Sequence, residues 1–276
     1  MNFLFWNINK NKNCFSIIRD MIYTEDIDIL MIAEYPLYTS EDELLAIINK
    51  QPCTYQYEYL IPIAEYDKVK IFTRFNIKLI QAIRDSIGFS AKKYFSPLLN
   101  NEITLITCHL PSKVNKSDLN LSEYAEDVKD FVDVVEKEVG HKRTIICGDF
   151  NMNPFDYGII KTRGLHAVME KSIAKQEHST VRGNNYSFFY NPMWGFLGDN
   201  GCGNVSGTMY YNSSDAINYY WHLYDQVLIR PELIDTFDNK RLEILTNVRN
   251  INLLTDKKII NKKISDHLPI KFNLKI

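Results

Sequence analysis

No Cys-x-x-Cys pair occurs among the five cysteines Cys14, Cys53, Cys108, Cys147 and Cys202. An odd number without zinc-like spacing suggests neither a disulfide framework nor a cysteine-held zinc centre. Such a chain suits a reducing compartment, and the cytoplasm is the expected location. The N-terminal apolar run reaches only from Phe3 to Trp6 before Asn and Lys intervene. That is too short for an export signal, and no later apolar run is long enough to span a bilayer. Gly-, Ser- or Pro-rich linkers and internal repeats are also missing, so residues 1–276 read as one domain. With 45% hydrophobic residues, the chain has enough apolar material for one large core. An excess of positive charge is absent too. A net charge of −2 and a pI near 6.3 exclude a broadly basic nucleic-acid-coating surface, while leaving room for a local groove that meets phosphate through a metal ion. No feature calls for an obligate protein partner.

What is present centres on Ile145 to Pro154, Ile-Ile-Cys-Gly-Asp-Phe-Asn-Met-Asn-Pro. Thr144 to Cys147 is a β-branched, apolar run that fits a strand covered on both faces. Gly148 then permits a tight turn. Asp149 and Asn151 follow two positions apart, a spacing that in extended chain points both side chains into one pocket. A carboxylate can take a proton from water or hold a cation, and a carboxamide can donate to a phosphate oxygen without adding negative charge. The same Asp-x-Asn pattern is also that of an Asx-turn.

The remaining chain alternates strand and helix patterns. Asn2 to Ile8 and Ile27 to Ala33 read as buried strands, with a helix from Cys14 to Tyr23 between them. Ser40 to Glu43 forms a capping box for a helix through Asn49, stopped by Pro52. Tyr55–Ile63, Val69–Thr73, Ile77–Ile83 and Ile103–Cys108 read as strands, with Ser86 to Asn101 as loop. Leu121, Tyr124, Val128, Phe131, Val132, Val135 and Val139 mark one face of a long helix that starts near Ser117 and is closed by Gly140. Asn153-Pro154 suits the start of a short helix to about Arg163. Lys175 to Trp221 carries little periodicity and reads as loops and short strands. Leu223–Ile229, Leu242–Val248 and Leu268–Leu274 close the chain as strands. The alternation argues for an α/β fold.

Four fragments besides Gly-Asp-Phe-Asn fall at strand edges: Phe5-Trp6-Asn7, Ile32-Ala33-Glu34, Thr107-Cys108-His109 and Ser265-Asp266-His267. In this order, across nearly the whole chain, the five resemble the endonuclease/exonuclease/phosphatase superfamily, the deoxyribonuclease I-like proteins. The resemblance implies a four-layer α/β sandwich, two mixed β-sheets packed face to face with helices outside. It also implies a metal site of Asn7, Glu34 and Asp266, with Mg²⁺ as cofactor and Mn²⁺ as a substitute. Asp149 matches the residue that orients or deprotonates water, Asn151 a phosphate hydrogen-bond donor, and His267 the catalytic histidine. Asp225, in Tyr-Asp-Gln-Val-Leu-Ile, matches the acid that fixes His267. His109 matches a second histidine that contacts phosphate or acts as general acid. Asp67 and Lys113 are weaker matches, whose bland readings are a turn acid and a solvated lysine. His141, His166, His178 and His222 are read as structural.

The implied activity is metal-dependent phosphodiester hydrolysis by in-line attack of an activated water, with a nucleic acid or nucleotide as substrate. Ala33-Glu34-Tyr35-Pro36 departs from the Gln that precedes the metal Glu in abasic-site endonucleases. His222-Leu-Tyr-Asp225-Gln226 departs from the inositol polyphosphate 5-phosphatase pattern, and secreted sphingomyelinase-like members need an export signal. A nuclease is therefore the leading expectation, with a small-molecule or lipid phosphatase and a degenerate binding module as alternatives. The aromatic residues Trp194, Tyr210, Tyr211 and Trp221 are expected to line the substrate pocket, since ring faces bind unstacked bases without positive charge. Packing at the sandwich edge is the plainer role for any one of them.

Overall fold

The computed structural model describes residues 1–51, 55–64, 68–98, 100–112, 118–214 and 216–276. Asp67, Lys113, Cys53 and Pro52 lie outside them. The early elements are β1 (Asn2–Asn7), α1 (Cys14–Thr24), β2 (Ile29–Ala33), α2 (Glu41–Ile48), β3 (Glu58–Tyr59), β4 (Val69–Thr73), β5 (Ile80–Ser86), β6 (Phe89–Ser96), β7 (Asn101–His109), α3 (Asp118–Val139) and β8 (Thr144–Asp149). Later come α4 (Tyr157–Ile160), β9 (Ala167–Val168) and the strands Phe189–Tyr190, Asp225–Ile229, Glu243–Ile244 and Ile270–Asn273.

Two mixed sheets result. The first has six strands in the order Glu243–Ile244, Ile270–Asn273, β1, β2, β4, β3, and the second has seven in the order β5, β6, β7, β8, Asp225–Ile229, Phe189–Tyr190, β9. Side chains alternate along β8: Ile145 and Cys147 join the large cluster holding Phe3, Phe5 and Phe272 of the first sheet, whereas Ile146 joins Val128, Val132 and Val135 of α3. A strand so covered on both faces must be apolar throughout, which is why Thr144 to Cys147 reads as it does. With α1 and α2 against the first sheet and α3 against the second, the expected four-layer α/β sandwich is present.

Register, rather than mere adjacency, places the chemistry. In the parallel pair β7 and β8, His109 stands opposite Asp149, and in the antiparallel pair β8 and Asp225–Ile229, Asp225 stands opposite the same Asp149. Across the other sheet Asn7 at the end of β1 stands opposite Ala33 at the end of β2, one residue before Glu34. Arg230 holds the Asp225 strand to α3. It is fully buried, donates to both Glu136 oxygens at 2.8 and 3.1 Å and to the Phe188 carbonyl at 2.9 Å, and lies 3.8 Å over the Phe189 ring. A buried pair of this kind is costly to break because one charge is then left unpaired.

Several local expectations are corrected. Ser86 to Asn101 is not loop: β5 turns through Ile87-Gly88, with Gly88 at φ +91°, into β6. Its lysines hid the strand, yet Lys92 is buried and bonds Asp85 on β5 at 3.0 Å. The strand expected over Tyr55–Ile63 shrinks to Glu58–Tyr59, because the Asn49 side chain takes both the N–H and the C=O of Tyr57, at 2.7 and 2.9 Å. Ile77–Leu79 forms a 3₁₀ turn before β5. The helix expected from Asn153 shortens to Tyr157–Ile160, since the Asn153 side chain accepts the Leu223 N–H at 2.9 Å and contacts His222 at 3.3 Å instead of capping. The stretch Leu242–Val248 divides, its second half pairing in a separate hairpin with Ile251–Asn252.

Gly148 has a different role from the one its position suggests. It lies within β8 and is not among the positive-φ residues. A Cβ there would overlap the Cys108 carbonyl oxygen of β7. The glycine thus allows a close strand approach rather than a turn. Gly148→Ala is expected to lower unfolding free energy by about 3 kcal/mol or more, measured by urea denaturation, because neither backbone can yield without shifting Asp149.

Candidate active site

Asn7, His109 and Asp149 close β1, β7 and β8, Glu34 follows β2, Asp225 opens its strand, and His267 lies in the loop before Ile270–Asn273. The Asn7 side chain, 1% exposed, donates from Nδ2 to Glu34 Oε1 at 3.3 Å and to Asp149 Oδ2 at 3.1 Å, while its Oδ1 accepts the Asn9 N–H at 3.1 Å. Two carboxylates from different sheets therefore converge on one amide. His109 Nε2 lies 3.6 Å from Glu34 Oε1 and 3.9 Å from Asp149 Oδ2. Asp149 Oδ1 accepts the backbone N–H of Asn151 at 2.8 Å.

Asp149 and Asn151 do not continue an extended chain. Asn151 has φ +51°, and its Nδ2 donates to the Leu110 carbonyl at 2.9 Å. The Asx-turn and the polar cluster are thus both present, and the turn is what aims Asp149. One of the two amide N–H groups of Asn151 is committed to backbone, leaving the second for another acceptor. Backbone strain gathers here as well: Asn9, Lys10, Glu34 and Asn151 have φ of +46°, +56°, +47° and +51°. Non-glycine residues in the left-handed region cost on the order of 1 kcal/mol each and persist where their surroundings hold them. The Lys10 N–H to Glu34 carbonyl bond at 2.8 Å and the Ile8 N–H to Ala33 carbonyl bond at 3.1 Å do so.

His267 and Asp225 form the buried half of the site. His267 Nδ1 bonds Asp225 Oδ2 at 2.7 Å, and His267 Nε2 lies 3.9 Å from Asp149 Oδ2. Burial alone favours the neutral imidazole, but the Asp225 carboxylate beside it, with the further charges of Asp149 and Asp266, lifts its pKa from 6.5 to about 10. The ring is therefore an imidazolium at neutral pH, with Nδ1–H given to Asp225 and Nε2–H directed toward the Asp149 side. The loop that carries it is pinned by residues whose roles had no signature. Trp6 Nε1 donates to the His267 carbonyl at 2.9 Å, Ser265 Oγ donates to the Asn7 carbonyl at 2.8 Å, and the Asp225 N–H donates to Thr208 Oγ1 at 3.2 Å. Trp6 and Ser265 fall inside the quoted fragments; Thr208 lies in an aperiodic loop and could not have been singled out.

Asp266 is half-buried and enters mainly as charge beside His267. Of the histidines read as structural, His166 bonds the Tyr186 carbonyl at 3.1 Å and His222 lies against Asn153; both are buried. Cys108 and Cys147 are buried beside the site with thiol pKa values pushed well above the ordinary range by burial, so neither serves as a nucleophile.

The four aromatic residues divide into two groups. Trp194 packs edge-on to Phe155 at 6.2 Å, and Phe155 meets Tyr219 at 5.4 Å. Tyr210 rests on Trp221 at 5.3 Å, both partly buried against the core, and Tyr211 is exposed. The second group adjoins the site directly, because Met209 bridges His267 and the Leu268 N–H bonds the Thr208 carbonyl at 2.7 Å.

The donor set fits a hard divalent cation. Glu34 and Asp149 present oxygens that converge at a partly open position, the ligand type such ions take. Asp149, Asp225 and His267 also bring one ligand atom each within 4.8 Å of one another. That trio is better described as an acid fixing an imidazolium, since His267 has given Nδ1–H to Asp225 and a protonated ring has no free lone pair.

No protein-family model and no curated relative matches the chain; its likeness is to solved structures. An endonuclease/exonuclease/phosphatase family protein from Leptotrichia buccalis superposes with a TM-score of 0.57 at 12% identity, covering 100% of both chains. An AP endonuclease from Archaeoglobus fulgidus gives 0.55 at 14% identity, again over 100% of both. A 3′ phosphatase from Neisseria bound to a product DNA hairpin gives 0.56 at 11% identity, over 99% of each. The fold is that of the endonuclease/exonuclease/phosphatase superfamily, the deoxyribonuclease I-like sandwich.

Both halves of the site can be probed through stability. In protein stripped with EDTA, Mg²⁺ or Mn²⁺ is expected to raise Tm, and Glu34→Ala to abolish that rise; an equal rise in the variant removes Glu34 from cation binding. Because the His267 pKa is raised above 6.5, the stability from its pairing is complete below about pH 6.5 and is lost as pH climbs through about 10. Thermal melts in EDTA should show this alkaline loss in the parent and a flatter profile in Asp225→Asn.

Proposed function

We propose that this chain is a metal-dependent phosphodiesterase that cleaves nucleic acid. The observation that carries the reading is the meeting of Asn7, Glu34, His109, Asp149 and the Asp225–His267 pair at the strand ends of both sheets. A phosphodiester is already anionic, so its hydrolysis needs charge neutralisation, an oriented water and a donor for developing oxyanion charge. Glu34 would hold the cation, with Asn7 and Asp266 completing its surroundings. Such an ion would neutralise phosphate charge and polarise the phosphorus–oxygen bond.

The remaining roles belong to the protein. Asp149, its Oδ1 fixed by the Asn151 N–H, orients water and accepts its proton. His267, held charged by Asp225, donates from Nε2 to a non-bridging phosphate oxygen as negative charge builds there. His109, on the open side of the two carboxylates, contacts phosphate or protonates the leaving oxygen. The free N–H of Asn151 serves a phosphate oxygen. The 3′ phosphatase neighbour is described as bound to a DNA hairpin, which supports a nucleic-acid substrate for this fold.

Incubation with Mg²⁺ or Mn²⁺ and a panel of single- and double-stranded DNA, RNA, nucleotides and phosphoinositides tests the reading. Oligonucleotide cleavage is expected, abolished by EDTA and reduced roughly 10²–10⁴-fold or more in Glu34→Ala and Asp149→Ala. Asp225→Asn is expected to lower kcat more than it raises KM. Release of inorganic phosphate from monoesters with nucleic acid untouched would select a phosphatase instead, and turnover without metal would overturn the mechanism.

A further inference from the structure

Ile251 to Ile264, just before the Ser265-Asp266-His267 segment, contains Lys257, Lys258, Lys262 and Lys263 against the single acid Asp256. The four lysines are exposed, and among the described residues none takes part in an ion pair. Many other cations are matched, as Lys10 with Glu34, Lys70 with Glu41 and Lys271 with Glu25. The segment is nevertheless rigidly built. Leu254 bridges Ile260, the Thr255 N–H bonds the Ile259 carbonyl at 2.7 Å, and the Lys258 N–H bonds the Thr255 carbonyl at 2.8 Å. Its far end is tied to the loop after β1, where Asn11 Nδ2 donates to the Lys263 and Ile264 carbonyls at 3.0 and 2.8 Å.

One face of this hairpin and the strand Met209–Tyr210 enclose a groove of about 550 Å³ lined by Tyr210, Tyr211, Asn212, Lys257, Ile259 and Lys262. The groove begins at Tyr210, one residue along the strand from the candidate site's nearest backbone contact. Met209 bridges His267 itself, which puts the Tyr211 backbone about 7 Å further along an extended chain. Tyr210 is braced on Trp221, while Tyr211 is 49% exposed. Unmatched, exposed cations facing aromatic rings are the combination that follows a single strand, with phosphates on the lysines and bases on the rings. A duplex keeps its bases stacked and offers the rings nothing.

We infer that this groove is the binding track for the single-stranded nucleic acid flanking the scissile phosphate, with Lys257 and Lys262 as phosphate contacts and Tyr211 as a stacking platform. The inference rests on the phosphodiesterase reading for its biological sense, and on the groove alone for its physics. Four lysines against one acid make this hairpin locally positive on a chain of net charge −2, so it can meet phosphate without a broadly basic surface.

Binding of a fluorescein-labelled oligothymidylate of about twelve nucleotides, followed by anisotropy in EDTA across a salt series, tests it without any turnover. Lys257→Gln/Lys262→Gln is expected to weaken binding about tenfold at low salt and to reduce the slope of log affinity against log salt by about 1.4, roughly 0.7 for each phosphate the variant no longer neutralises. Tyr211→Ala is expected to weaken binding on the order of tenfold with its slope unchanged, because stacking releases no counterions. Lys137→Gln, on the exposed face of α3, controls for general charge. Parent-like affinity and slope in the hairpin variants, an equal loss in Lys137→Gln, or tighter binding of the matching duplex with no effect of Tyr211→Ala would each overturn the track. Oligonucleotide cleavage by a parent whose hairpin variants bind normally leaves the catalytic reading standing without this groove. Single-strand binding through the groove by a parent that cleaves nothing has the opposite meaning.

Discussion

Two carboxylates from opposite sheets share one amide: Asn7 Nδ2 bonds Glu34 and Asp149 at 3.3 and 3.1 Å. Like charges brought together in a partly buried place repel, and the repulsion is strengthened by the reduced dielectric. The surroundings answer it with the Asn7 amide, the Asn151 backbone N–H and two imidazoles, one of them held charged by Asp225. A centre assembled to concentrate negative charge and then to balance it is suited to a divalent cation and an anionic substrate. The left-handed backbone at Glu34 and Asn151 is part of the same constraint, since those turns aim the two side chains at a common point.

The sandwich serves this convergence. Asn7, Glu34, His109 and Asp149 are at or just beyond the end of a strand whose body is buried, so the apolar core fixes where the strand stops and the polar residue there has a defined position. The opposed registers of β7 with β8 and of β8 with Asp225–Ile229 bring His109, Asp149 and Asp225 side by side. A one-residue slip of β8 would turn Asp149 to the other face, away from His109 and Asp225. Gly148, which admits the close approach of β7, and Arg230, which locks the Asp225 strand to α3, both protect that register at some distance from the chemistry.

Charge on the surface is distributed unevenly. Much of the cationic surface is neutralised locally, as at Lys175 with Asp235 and Lys161 with Glu126, while the hairpin before His267 keeps its lysines unmatched among the described residues. Net charge therefore says little about where an anion would meet the protein. Local imbalance beside the candidate site, presented from a hydrogen-bonded turn, is the more informative quantity.

The strands that form the centre were legible because burial on both faces demands continuous apolar residues, and the polar group that ends each run then stands out. That pattern placed the fragments carrying Asn7, Glu34, His109, Asp149 and His267 at strand edges, while the resemblance supplied their roles, Asp225 and the two-sheet architecture. Elements whose residues carry mixed signals were not legible. The β6 strand was hidden by Lys92, whose charge is matched by Asp85 on the neighbouring strand, and the Tyr55–Ile63 strand was cut short by the Asn49 side chain from a different element. Thr208 and the Lys257–Lys262 groove lay in stretches without periodicity, where function follows from which loops become neighbours. Local sequence by itself determined the strands buried on both faces, β1, β2 and β8 among them, and the polar residues that end them, because those depend on burial and short-range periodicity. Only the tertiary structure decided that a carboxylate from each sheet would share one amide, and that a lysine hairpin would face Tyr211, because both depend on register and packing between segments far apart in the chain.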